Sequence, residues 1–400
     1  MALDSDFWLG AATSSVSAEG ATEASDWGSW ERLGRLPGSA AGNGFATRYR
    51  DDLRLLGQAG VGHVRLGVEW ARIEPENGVV DERAVEHYQQ VLAAADEAGL
   101  AVWVTLVSRS LPGWFAIDEH GWRDRRSRTF SWPRHVERCA ELFGEWAYAW
   151  VPITRPMTTA RAAYLTGAAP PGRRDPFRFT DAILSTHQAA LEAWRVLRGG
   201  PPVASCFDLA AMRPADAEPT TRSRTRRAES FLWCWTDGFR DGELTLEGQG
   251  LRSVPTMPDA FDLVGVTIEH RITVPERGEW RRDHRPEDVG EILQRVAEQG
   301  PDRPVVVLGQ HVATVDQLDE VLGLVDDARS GGIDVRGWFA EPMIDGYEWE
   351  DGFEPERGLF DVERAPRPVL ERLRDIAVGL AEPADEFEGA VLLTEGARPS

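Results

Sequence analysis

Eight times along the chain a short apolar run ends in a polar or Gly/Pro break and gives way to helical periodicity. This alternation constrains the fold more than any single motif. The runs are FWLGAAT (7 to 13), HVRLGVEW (63 to 70), AVWVTLV (101 to 107), YAWVPITR (148 to 155), PVASCFDL (202 to 209), DLVGVTIE (262 to 269), PVVVLGQ (304 to 310) and VRGWFAEPM (335 to 343). Runs apolar on both faces belong to strands covered by helices outside and filled by side chains inside. Helices are expected over RAVEHYQQVLAAADEAG (83 to 99), DAILSTHQAALEAWRVL (181 to 197), PEDVGEILQRVAEQG (286 to 300) and VDQLDEVLGLVDDARSGG (315 to 332). Most are apolar at i, i+3, i+4 and i+7, and several end in Gly, as a helix C-terminus does. Eight such units predict an α/β fold, a single-domain (β/α)8 TIM barrel. A doubly wound sheet is the alternative, but it wants a GxGxxG turn after its first strand, and WLGAATSS does not supply one.

The barrel is expected to fill residues 1–380. The stretch AEPADEFEGAVLLTEGARPS that follows loses helical period and is expected to be a flexible tail, 381–400. ERLGRLPGSAAGNG (31 to 44) reads as a surface loop, and RPADAEPTTRSRTRRAES (213 to 230) as a solvated helix start rather than a binding patch.

Composition removes several functions. With 16 Trp and 15 Phe the chain has ample material for a large core. A formal net charge of −22 opposes phosphate backbones and anionic lipid, so neither nucleic acid nor membrane is expected as a partner. The opening MALDSDFWLGAATSS has neither a basic nor an apolar leader segment, and the chain is expected to be soluble and cytoplasmic. Cys139, Cys206 and Cys234 lie far apart without CxxC spacing and read as buried thiols. All 44 basic residues are arginine, which excludes Schiff-base chemistry, pyridoxal phosphate attachment and a P-loop lysine. No cofactor is expected, and the sequence is silent on oligomeric state.

Six stretches in order, FWLGAATSSVSAEG, HVRLGVEWARIEPENG, VTLVSRSLPGW, GAAPPG, PVVVLGQ and VRGWFAEPMIDGYEWEDGFEPERGLFDV, resemble the successive signatures of the family-one glycoside hydrolases, the β-glucosidase family. The resemblance runs from about residue 5 to about residue 379. It implies a pocket at the C-terminal strand ends where two carboxylates, roughly 5 to 5.5 Å apart, act as acid/base and nucleophile. Here Thr154-Arg155-Pro156 stands at the family's strand-four Asn-Glu-Pro. Leu308-Gly309-Gln310-His311 stands at its strand-seven Thr-Glu-Asn-Gly, so Arg155 and Gly309 mark lost catalytic positions. Further departures are Ser17, Ser108-Arg109, Thr267-Ile268-Glu269 and Glu341. Glu19 with Gly20, Arg65, Trp70, Asp345, Glu348 and Trp349 keep the family pattern.

Arg155 is permanently cationic and cannot donate a proton at neutral pH. It reads either as a clamp facing Glu269, Glu341 or a ligand, or as an ion pair filling a vacated pocket. Gly309 reads either as a hole for water or an anion, or as a point of close backbone approach. Glu269 and Glu341, with Asp208, are the candidate catalytic residues, since acids in one cavity can have their pKa values driven apart. Ser17, Arg65, Ser108, Arg109, Thr154, Arg155, Gln310, His311, Glu348 and Trp349 are the candidate ligand-binding residues. His270 and His311 flank the mouth, but no HxH or HExxH spacing supports a metal, and none is expected.

The preferred expectation is a barrel repurposed for cyclisation, elimination or isomerisation of a glycoside-like or polyhydroxylated small molecule. The alternatives are a catalytically silent pseudo-glycosidase that binds a carbohydrate or a protein, and residual β-glycosidase activity.

Overall fold

The computed structural model describes residues 3–118, 120–283, 285–300, 303–349 and 351–381. It contains the eight expected units in order: β1 (Trp8–Ala12), α1 (Phe45–Gln58), β2 (His63–Gly67), α2 (Glu82–Glu97), β3 (Ala101–Val107), α3 (Trp132–Phe143), β4 (Ala147–Ile153), α4 (Pro176–Leu197), β5 (Phe207–Leu209), α5 (Pro219–Asp237), β6 (Val264–Ile268), α6 (Asp288–Gln299), β7 (Val305–Gln310), α7 (Val315–Ser330), β8 (Val335–Ala340) and α8 (Pro368–Ala381). All eight strands are parallel, β1 pairing with both β2 and β8, and the sheet curls from β4 round to β5. The seam is bridged by backbone. Ala204 N–H donates to Trp150 O and Trp150 N–H to Pro202 O, each at 2.8 Å. The proposed tail after Ala381 lies outside the described residues.

Helix starts carry the chemistry that the backbone demands. Asp81, Asp175 and Thr314 accept the first free N–H groups of α2, α4 and α7. Pro176 at the first position of α4 starts that helix five residues before the expected boundary. The basic stretch 213–230 does open a helix, α5, although Met212–Pro214 forms a short strand of its own beside Arg271–Val274.

Two apolar clusters occupy the two faces of the strands. Outside, Leu53, Val64, Val104, Val136, Ile183, Val266, Leu293, Val307 and Leu322 pack strands against helices. Inside, Trp103, Val151, Cys206, Leu263, Val306, Leu308 and Phe339 fill the barrel, with Trp8 against them. Gly10 is required here, because a Cβ at that position would lie 2.4 Å from Cδ1 of Phe339. Trp8, His63, Trp103 and Tyr148 form an aromatic floor towards the strand starts, met by Phe339 from the later part of β8. Burial there pushes the His63 imidazole down to about 4. Towards the strand C-termini the interior turns polar at Arg65, Thr105, Asp208 and Thr267, all buried. The three cysteines are free and buried. No helix of the described residues is long and apolar enough to cross a membrane.

Several run ends differ from expectation. Trp70 opens a short helix, Trp70–Ile73. Thr154 and Arg155 fall beyond β4, Arg155 at φ 50° and ψ 51°. β8 stops at Ala340, and the Glu341–Pro342 peptide beyond it is cis.

The segment after β8 is held to α1 by a buried ion pair. Arg364 donates Nε and Nη2 to the two oxygens of Asp52 at 2.8 and 2.7 Å, with side-chain exposures of only 4% and 0%. Breaking one partner strands a buried charge, at a cost of about 3–5 kcal/mol. Arg364→Ala is therefore expected to lose about that much stability in denaturant unfolding, and a loss under about 1 kcal/mol would contradict this.

Candidate functional site

The mouth is built at the strand C-termini, around the residue that follows β4. Thr154 N–H donates to Val107 O at 3.1 Å and Arg155 N–H to Cys206 O at 3.2 Å, so the chain is pinned between β3 and β5. Pro156 then opens a short helix, Pro156–Ala160. The free N–H groups of Met157 and Thr158 donate to the Asp208 carboxylate at 2.9 and 2.6 Å. Asp208 thus caps the turn that presents Arg155. Burial pushes its pKa up, against the pull of those donors.

From this turn the Arg155 guanidinium reaches across the barrel. Nη1 pairs with Glu269 and Nη2 with Glu341, the latter at 2.7 Å. The second oxygen of Glu341 pairs with Arg65 at 2.9 Å, and Arg65 Nε donates to Leu308 O at 2.9 Å. Burial by itself raises the Glu341 pKa, and the guanidiniums of Arg155 and Arg65 together outweigh it, holding the carboxyl at about 2. For Arg155, burial works against the charge and the two glutamates overcome it, so its pKa moves up. These four side chains, from four parts of the barrel, form one ladder of alternating charge.

The position of Glu341 gives Gly309 its reason. A register shift between Val307 and Gly309 turns this backbone inward against β6. A Cβ on Gly309 would lie 2.2 Å from Oε2 of Glu341. The carboxylate from β8 therefore covers the bare backbone of β7.

The outer part of the mouth is aromatic and cationic. The Arg109 guanidinium lies 3.5 Å from the ring centre of Trp349, which packs against Trp27. Burial, with the charge of Arg155, pulls Arg109 down to about 10. Burial pushes Glu348 up, with Arg109 opposing it.

Ser17, Ser108, Arg109, Arg155, Glu269, His311, Glu341, Glu348 and Trp349 line one cavity of about 150 Å³. The remaining expected residues lie off its wall. Arg65 sits beneath Glu341, and Thr154 donates to Ser108 at 3.5 Å. Asp208 is spent on backbone, and Gly309 is covered. Gln310 points to the outer face, where its oxygen accepts from the Trp338 indole at 2.8 Å. Two pattern-keeping acids are structural. Glu19 binds His87 and Tyr88, and Asp345 accepts from Arg357 N–H and Gly358 N–H.

The sequence reading passed over Ser14, Thr158, Arg282, Asp351 and Arg357, which also line the cavity. Thr158 was findable, three residues past Arg155 on a helix start. Arg282 arrives on a short outer strand, Arg281–Asp283, and Arg357 on a loop of the segment after β8. His270 and His311 meet edge to face at 5.9 Å, and among the described residues no group of three His, Cys, Asp or Glu could hold a metal.

The fold is that of the (β/α)8 glycosidases. The sequence profile of glycosyl hydrolase family 1 matches residues 1–246, and the chain belongs to that family. It is 26% identical to thermostable beta-glucosidase B of Thermobispora bispora, over 92% of this chain and 89% of that protein. It is 22% identical to coniferin beta-glucosidase of Pinus contorta, over 90% and 87%. Among solved structures, a beta-glycosidase from Pyrococcus horikoshii superposes with a TM-score of 0.84 at 25% identity, covering 93% of this chain and 94% of that one. A Thermotoga maritima beta-glucosidase in complex with glucoimidazole gives 0.81 at 20% identity, covering 94% and 98%.

Two predictions follow from this geometry. Gly309→Ala drives a methyl group into the Glu341 carboxylate and is expected to cost about 1–3 kcal/mol by denaturant unfolding. In a Glu341→Ala background the same change is expected to cost under about 0.5 kcal/mol, and equal costs in both backgrounds would refute the contact.

The second concerns Asp26, whose Oδ1 accepts from Trp27 and Leu111 N–H and so anchors the loop after Arg109. Burial raises its pKa from 3.8 to about 7. The folded state thus binds this proton more tightly than the unfolded state, and the group's contribution to stability falls as pH rises from about 4 to about 7. Asp26→Asn keeps the acceptor and removes the buried charge. Its melting temperature is expected to exceed wild type by several degrees at about pH 8 and to match it at about pH 4, and the reverse order would disprove the shift.

Proposed function

We propose that this family-one barrel has lost retaining hydrolysis and that its mouth binds a small glycoside-like or polyhydroxylated molecule. The observation that carries the reading is the ladder Glu269–Arg155–Glu341–Arg65. Double displacement needs one carboxyl that holds a proton for the leaving group and one free to attack. By the family pattern, the donor position is Arg155, which holds its proton permanently. The attacking position is Gly309, which has no side chain. Glu341, the carboxylate nearest that position, is engaged through both oxygens by guanidiniums.

The binding half of the reading rests on Arg109, Glu348 and Trp349, which give the cavity a stacked aromatic face and hydrogen-bonding groups of both kinds. A narrow, polar cavity suits hydroxyls better than an extended apolar body.

A second reading, acid/base chemistry without a covalent intermediate, is favoured by one observation. Glu341 is held low and Glu348 is pushed up in the same cavity, and acids separated in this way can divide the roles of base and acid. Cyclisation, elimination or isomerisation of a polyhydroxylated substrate would use such a pair.

Purified protein is expected to turn over aryl β-glucosides at less than about 10⁻³ s⁻¹, against about 10 s⁻¹ for a typical enzyme. Ordinary rates would overturn the proposal. A thermal-shift screen of glycosides and polyols is expected to yield a ligand whose stabilisation vanishes in Trp349→Ala. A hit whose turnover falls at least 10²-fold in Glu348→Gln would establish the second reading over the first.

A further inference from the structure

The helical segment that carries Arg155 has two sides. Thr158 and Ala162 face the barrel mouth, while Met157, Arg161 and Leu165 face away from it into a separate cavity of about 740 Å³. That volume lies in the range of small-molecule sites, roughly 300–1,000 Å³, and it is several times that of the mouth. The cavity opens outside the barrel, between this segment, the start of α4, the middle of α5 and the strand turn that leads to Arg282.

Its floor and its rim differ in chemistry. Leu165, Phe179, Ala228 and Phe231 supply an apolar floor. Arg161, Arg174, Arg224, Arg227 and Arg282 stand round it, against one lining carboxylate, Glu279. Five cations gathered on one hollow stand out in a chain of net charge −22. Backbone oxygens orient two of them without cancelling their charge. Arg224 donates to the carbonyls of Pro275, Glu276 and Gly278 at 2.8 to 3.0 Å, and Arg174 donates to Thr166 O at 3.0 Å. The Arg161 guanidinium lies 5.2 Å from the ring centre of Trp280, forming a flat cationic and aromatic wall.

We propose that this outer cavity is a binding site for a small amphipathic anion. An aromatic or alicyclic body would lie on the Phe179–Phe231 floor, and a carboxylate, sulfate or phosphate head would meet the arginine rim. Guanidinium forks match the planar or tetrahedral oxyanion, and the apolar floor selects against free inorganic anions. Arg224 and Arg227 belong to the basic stretch 213–230, which as sequence reads only as a solvated helix start. Arg282 is shared with the wall of the mouth and no other lining residue is, and the proposal depends on neither reading of the mouth.

The test is titration of the full chain with anilinonaphthalenesulfonate, followed by fluorescence and calorimetry. Saturable single-site binding is expected, weakening as salt is raised. The uncharged analogue N-phenylnaphthylamine is expected to bind at least about tenfold more weakly. Arg174→Glu with Arg227→Glu, both at exposed positions, is expected to weaken the sulfonate by at least about tenfold. Ala228→Phe, which fills the floor and leaves every arginine, is expected to do the same. Glu348→Gln in the mouth is expected to leave the affinity unchanged. The proposal falls if the wild type shows no saturable site, if charged and neutral probes bind equally, if neither cavity variant weakens binding, or if the mouth variant abolishes it. If one cavity variant does not fold, the other and the probe comparison still decide.

Discussion

One guanidinium organises the upper half of this barrel. Arg155 stands on the turn after β4 and holds a glutamate from the end of β6 and another from the end of β8, while Arg65 on β2 holds the far oxygen of the second. A lone charge at such depth is costly. Two cations and two anions in alternation satisfy one another, and removing either inner member, Arg155 or Glu341, leaves an outer one without its ion pair. The ladder therefore binds strands on opposite sides of the barrel at the level where the apolar filling has stopped.

Below that level the interior is closed by Trp8, Trp103 and Phe339, and outside it the helices pack on Val, Leu and Ile from every strand. This frame is that of a family-one glycosidase, and its requirements are met wherever geometry is strict, as at Gly10 beneath the Phe339 ring. The mouth follows a different logic. Asp208 caps the turn that carries Arg155, and Asp26 anchors the loop that carries Arg109, so buried acids serve to aim cations. A fold whose relatives are named for splitting glycosides here presents cations at the strand ends, inside the barrel and on the outer wall.

Much of the architecture was legible from pattern. The eight apolar runs became the eight strand regions, and β3 spans Ala101–Val107 as expected. The run ends were less legible, because what ends a strand is often a partner distant in sequence. Thr154 and Arg155 read as strand until the carbonyls of Val107 and Cys206 set the turn. Of the expected pocket residues, Gln310 was lost to Trp338, a partner on the neighbouring strand that the local sequence does not show. Arg282 was passed over because its three-residue strand is too short to show a period, and Arg357 because the loop that carries it has none.

What the sequence by itself determined is the frame. Periodicity is local, and eight apolar runs alternating with helical stretches are plain without coordinates. Only the tertiary structure decided where the remaining carboxylates stand. Glu341 lies over Gly309 and between two guanidiniums because neighbouring parallel strands place their ends within a few ångströms of one another. That proximity comes from sheet register and barrel closure, which join residues far apart in the chain and leave no trace in either segment alone.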